Sequence, residues 1–241
     1  MRVLLVNMPW APIEVPSLAL GILKNRVAKT MPETEIDVIH ANLDFADWIT
    51  ERVDFRGRDY YYSLVSYFKG CGDWVFSSAL YDDPKWRLAE FQEQLGNSMT
   101  EAEMKLSVQL HSLVPQFIEH IAEHIAGLLP DVVGFTSTFQ QNAAALAAAK
   151  RIKELAPGVA TVFGGANCDG EQGAALHRNF DFQAVSHSVD TGNLLDTVVS
   201  IAGSISCVIG REDGSHGTAF QDFRLPPYQF GLLSCKQRLH G

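Results

Sequence analysis

Asp131–Asn142, DVVGFTSTFQQN, decides how the rest of the chain is read. Val132, Val133, Gly134 and Phe135 form a run too short and too β-branched for an independent helix, whereas the AAALAAAKRIKELAP after Asn142 is rich in the strongest helix former. The spacing predicts a buried strand over 131–136, a turn from Thr136 to Gln141, and a helix over 140–156. An apolar strand tipped with hydroxyls and amides delivers polar groups to a crevice at the edge of a sheet. A second turn of this kind follows TVFGGANCDG, where Gly164 and Gly165 end a strand over 159–163 and remove the side-chain bulk that would keep a ligand from the backbone.

The same alternation extends in both directions. RVLLVN predicts a first strand, Val3 to Asn7, and SLALGILKNRVAK after a proline-rich loop predicts a helix opening near Ser17. EIDVIHAN predicts a second strand. From Leu43 to about Leu129 the pattern changes to helices: FADWITERV, YYYSLVSYF, GDWVFSSAL, WRLAEFQEQL and the long stretch from Thr100. After 163 come a helix over 171–179, a strand over 182–186 and a helix over 191–202. The order β-α-β-(helices)-β-α-β-α-β-α is that of an α/β fold, a Rossmann-like (flavodoxin-like) parallel sheet with helices on both faces and a helical insertion between the second and third strands. We expect one domain over 1–203, with the insertion at about 43–129. Residues 204–241, including ISCVIGREDGSHGTAFQDF and LPPYQFGLL, read as a hairpin and a linker-like tail. The aromatics of the insertion, among them Trp48, Tyr60, Tyr61, Tyr62, Trp74, Phe76 and Phe91, are most simply a packing core, with a cap over the crevice as the sharper alternative.

Composition narrows the function. The chain has 241 residues, 46% hydrophobic and 20% charged, which is ordinary for a globular protein. A net charge of −9 and the absence of any Lys/Arg run argue against nucleic acid as a partner. No stretch approaches the ~18 apolar residues of a membrane span, so we expect a cytoplasmic protein with no membrane partner. The four cysteines, Cys71, Cys168, Cys207 and Cys235, form no C-x-x-C pair and read as free thiols.

In an open parallel sheet the ligand lies beyond the carboxyl ends of the strands, so loops 7–16, 136–142, 164–170 and 186–190 are expected to converge. Thr136, Ser137 and Thr138 offer hydroxyls, Gln140, Gln141 and Asn142 paired donors and acceptors, and Gly164 and Gly165, with Ala166 and Asn167 after them, an edge low in bulk. The plainer alternative is that the hydroxyls cap helix 140–156. Neither GxGxxG nor GxxxxGK[ST] occurs, so the ligand is expected to be large, amide-rich and largely uncharged rather than a phosphate cradled by a glycine loop.

MRVLLVNMPW, LDFADWI, GDWVFSSALY, DVVGFTSTFQQN and VFGGANCDGEQGAALHRNF together resemble the N-terminal cobalamin-binding region of cobalamin-dependent radical S-adenosylmethionine enzymes of the peptide-maturation C-methyltransferase type. The likeness runs from Met1 to about Phe182 and continues loosely to Leu233. It implies cobalamin bound base-off, with its nucleotide arm in the sheet crevice. It places Ser137 and Thr138 with Gly164 and Gly165 around that arm, Pro9 and Trp10 beneath the corrin, and Phe139, Gln140 and Gln141 along its edge. The D-x-H-x-x-G sequence of other cobalamin carriers is missing, in keeping with this enzyme class, so no histidine ligand to cobalt is expected from the first loop. After the fifth strand SHSVDTG replaces the family's Gly-Glu-rich turn, which leaves Ser186 and the residues to Asp190 as candidates only, His187 being a chance axial ligand. No C-x-x-x-C-x-x-C follows, so no iron–sulfur cluster is expected and the chain alone is not expected to generate a radical; a separate radical S-adenosylmethionine protein or a substrate protein is the implied partner.

Two other classes compete: a sensor whose helical insertion responds to cobalamin state or light, and a self-sufficient small-molecule enzyme using cobalamin or a metal. The metal version rests on HIAEH, His120 to His124, two imidazoles on one helix face without an identifiable third ligand; a polar helix face is the plainer alternative. Asp169 and Glu171 stand where a helix N-terminus favours acids, which explains them without catalysis.

Overall fold

Five short apolar strands pair side by side into one parallel sheet: β1 (Arg2–Val6), β2 (Glu35–Ile39), β3 (Val132–Thr136), β4 (Ala160–Gly164) and β5 (Ala184–Ser186). The computed structural model describes residues 1–53, 64–168, 170–180 and 184–186. The strand order is β2-β1-β3-β4-β5, with Val3 of β1 opposite both Ile36 of β2 and Val132 of β3, and Phe135 of β3 opposite Phe163 of β4. The chain is therefore α/β and Rossmann-like, with the flavodoxin strand order, and the direction of winding reverses between β1 and β3.

Side chains alternate across a strand, so β1, β3 and β4 each feed two cores. Val3, Leu5, Ile36, Val132 and Val162 face Leu20, Leu23 and Val27 of α1 (Leu18–Thr30). Leu4, Val6, Val133, Phe135 and Phe163 face the other way, into a larger core built with α7 (Asn142–Leu155) and the insertion. The helix α1 begins where expected because the Ser17 hydroxyl accepts from the Leu20 backbone N–H.

The insertion between β2 and β3 is helical throughout its described part: α2 (Ala41–Arg52), α3 (Leu64–Phe68), α4 (Cys71–Tyr81), α5 (Leu88–Leu95) and α6 (Glu101–Gly127). A capping box between Thr100 and Glu103 opens α6, which runs 27 residues with Pro115 inside it. Helices α4, α6 and α7 pack against one another. Their centre is aromatic: the Phe45 ring lies 5.0 Å from Phe76 and 4.8 Å from Phe117, and Trp74 stacks on Phe91 at 3.6 Å. Trp48, Trp74, Phe76 and Phe91 are thus packing residues, while Tyr60, Tyr61 and Tyr62 lie outside the described residues. Helix α8 (Gly170–Asn179) joins β4 to β5. The helix expected over 191–202 and the tail over 204–241 also lie outside the described residues. Among the described residues no helix is long and apolar enough to cross a membrane.

Candidate functional site

Between the sheet and α1, reaching the carboxyl ends of β1, β3 and β4, lies a cavity of about 180 Å³. Its walls are apolar: Val3, Leu5, Val132 and Val162 from the sheet, Leu20 and Leu23 from α1. Its polar groups are Asn7, Ser17, Thr136, Thr138 and Gln141, and the tip of β4 contributes Gly164 and Gly165. The cavity sits beside the point where the winding reverses, because the crossovers leave β1 and β3 in opposite directions there and do not cover their ends. It joins the turns that follow β3 and β4.

Hydrogen bonds hold its rim. The Gln141 amide oxygen accepts from the Thr138 backbone N–H and from the Thr138 hydroxyl, both at 2.8 Å. The Gln141 amide nitrogen donates to the Met8 carbonyl at 2.6 Å and to Asn7 Oδ1 at 3.4 Å, which ties the β3 loop to the β1 loop. Behind this layer the buried Ser137 hydroxyl donates to Asn142 Oδ1 at 2.5 Å. Asn167 Nδ2 donates to Ser137 Oγ at 3.0 Å and to the Phe139 carbonyl at 2.9 Å, tying the β4 loop to the β3 loop. The amide cluster therefore spends most of its hydrogen-bonding capacity on fixing three loops. Thr136 and Thr138 keep acceptor lone pairs, and Ser17, whose oxygen caps α1, keeps a hydroxyl proton to donate.

The expected site residues separate into groups. Thr136, Thr138, Gln141, Gly164 and Gly165 line the cavity; Ser137, Asn142 and Asn167 brace it from behind. Ala166 is exposed at the start of the 3₁₀ turn Ala166–Cys168. Phe139 is half-exposed at the rim. Pro9 precedes a cis peptide bond to Trp10, whose ring is buried against Phe45 and Phe76, with Nε1 donating to Ser66 Oγ at 2.9 Å. The Trp10 ring thus faces the insertion. Ser186 ends β5, and His187 lies outside the described residues.

Two expectations about roles change. Gly165 has φ of +128°, and a Cβ there would collide with the Ser137 carbonyl oxygen, so its close neighbour is the protein's own backbone. The capping alternative for the threonines also fails: the N-cap of α7 is Gln141, without a side-chain cap bond, and the Ala143 N–H donates instead to Asp73 at 2.8 Å. Asp73 stands in the first turn of α4. Burial pushes its carboxyl up to about 7, although the backbone N–H groups of Ala143 and Asn142 favour its charged form. The adjacent Gly72 completes the clamp, since a Cβ there would come within 2.8 Å of both Gln140 and Trp10.

Asn7, Ser17, Gly72 and Asp73 were not among the expected site residues. Asn7 carried a signal, being the first polar residue after the apolar run of β1. Gly72 and Asp73 carried none, because their partners lie about seventy residues along the chain.

Among the described residues, histidine does not line the cavity. His120 and His124 lie on an exposed face of α6, and no group of three His, Cys, Asp or Glu side chains among the described residues is placed to hold a metal ion. Cys71 and Cys168 are buried, which pushes each thiol up to about 12 and keeps it protonated. Comparison of the chain with protein-family models, with curated proteins and with solved structures finds no match.

Proposed function

We propose that the protein is a cobalamin-binding module that takes the cofactor base-off, its nucleotide arm in the cavity at the ends of β1, β3 and β4. One observation carries this: the ends of β3 and β4, Thr136 and Thr138 on one and Gly164 and Gly165 on the other, border the same cavity. The residues suit the group. Leu5, Leu20, Leu23 and Val162 offer the apolar walls that an aromatic base requires, and Ser17, Thr136 and Thr138 offer the few polar contacts that orient a sugar and its phosphate. The braced loops favour affinity, because a rim already held by Gln141 and Asn167 loses little freedom on binding. The resemblance to cobalamin-dependent radical enzymes points to the same ligand.

Cobalamin, when bound, supplies a cobalt centre able to carry a methyl group. The chain's own part is to bind and orient it. The test is titration of the 241-residue protein with hydroxocobalamin, followed by visible absorption and by co-elution after gel filtration. Stoichiometric uptake with a shifted spectrum is expected. No uptake at about 100 μM, a weak affinity on the usual scale, overturns the proposal.

A further inference from the structure

Beside the cavity the chain holds out a group of aromatic rings that ordinary packing would bury. Phe139, the residue after the cavity-lining Thr138, has φ of 50° and is 56% exposed. Phe68, the last residue of α3, is 55% exposed. Tyr67 bridges them, its ring 5.1 Å from Phe68 and 5.3 Å from Phe139, and the two phenylalanines meet edge to face at 6.3 Å. A bulky residue at positive φ is strained, and such strain persists where the surroundings enforce it. Here Asn167 enforces it through its bond to the Phe139 carbonyl, and Gln141 through its bonds to Thr138. With this backbone the Phe139 ring lies against two rings of the insertion.

We propose that Phe68 and Tyr67, with Phe139, form an aromatic shelf for the flat ring system of the ligand whose arm enters the cavity. The insertion is then one wall of the binding site and not only a packing element. This rests on the cobalamin proposal above. Continuity decides the occupant: Thr138 in the cavity wall and Phe139 on the shelf are consecutive, and Asn167 and Gln141 brace both, so one ligand spanning arm and ring meets both surfaces. A conjugated macrocycle with apolar faces and an amide-bearing rim matches exposed π surfaces beside a polar rim.

The experiment measures dissociation constants of cobalamin and of cobinamide, which has the ring but lacks the nucleotide arm, for the whole protein and for Phe68→Ala and Phe139→Gly. Both variants are expected to weaken both ligands about tenfold, on the scale of one stacking contact. Phe139→Gly is expected to melt at or above the wild-type temperature, because glycine accepts the positive φ; strain relieved together with affinity lost separates a binding role from a folding one. Cobalamin bound equally by wild type and both variants overturns the shelf and leaves the cavity proposal standing. Cobalamin bound with no detectable cobinamide does the same. A wild-type protein that takes up no cobalamin overturns both.

Discussion

Gly165 and His111 show how much a single residue's role depends on what is folded against it. At Gly165 the positive φ and the Ser137 carbonyl in the place of a Cβ leave no room for a side chain. Gly165→Ala is expected to cost about 2–4 kcal/mol, from backbone strain and overpacking together, measurable by urea denaturation. His111 is 1% exposed and stacked on Trp74 at 4.1 Å; its Nδ1 donates to the Trp74 carbonyl at 3.0 Å, and its Nε2 has no partner among the described residues. Burial pushes its pKa below the ordinary imidazole value, so the native state favours the neutral ring. The unfolded chain then binds more protons in the window below about 6.5. His111 therefore contributes its full share of stability above that value and loses it as pH falls through the lowered native pKa. The melting temperature is expected to drop between pH 7.5 and 5.5, and His111→Phe, which keeps the stack, is expected to flatten that drop. Trp10 shows the limit of a motif at this scale: MPW marks a loop, but only the fold turns the indole towards Ser66.

At the scale of elements, the start of α7 is the informative case. The helix itself is legible in its alanines, whereas its cap comes from Asp73 on α4. The native carboxyl near 7 lies above its unfolded value, so Asp73 contributes stability that is fully present below the ordinary carboxyl range and is lost as pH rises through about 7. Asp73→Asn has no such dependence. The melting-temperature difference, variant minus wild type, is expected to grow between pH 5 and pH 8; a constant difference would show that Asp73 does not change protonation there. Helix α6 offers the local counterpart, its capping box lying within four residues. Thr100→Ala is expected to cost about 1 kcal/mol, by thermal or chemical denaturation. One of these caps could be read in the chain and the other could not, because a capping box is a short-range pattern and Asp73 acts across seventy positions.

For the whole molecule, the two faces of the sheet are unequal among the described residues. The larger core joins the sheet to α4, α6 and α7 through several fully buried aromatics, while the α1 face rests on a few aliphatic residues and borders the cavity. Local opening follows buried apolar contact, so amide hydrogen exchange is expected to be fastest in α1 and β2 and slowest in α4, α7 and β3. On the cobalamin proposal, ligand added in excess is expected to slow exchange first in α1 and in the loops after β3 and β4, since binding to the native state alone stabilises what it touches. Slowing confined to α6 instead would place the ligand elsewhere.

By itself the chain determined the strand-and-helix order as far as β5, the parallel α/β class, the place of the insertion and the two loops at the sheet edge. These follow from hydrophobic period and local propensity, which act over a few residues at a time. Tertiary structure alone decided that Asp73 caps α7, that Trp10 turns into the insertion, that Gly165 makes room for Ser137, and that Phe68 meets Phe139. Each of these joins segments about thirty to seventy residues apart, and such contacts are selected by the packing of whole elements, not by any pattern within one of them.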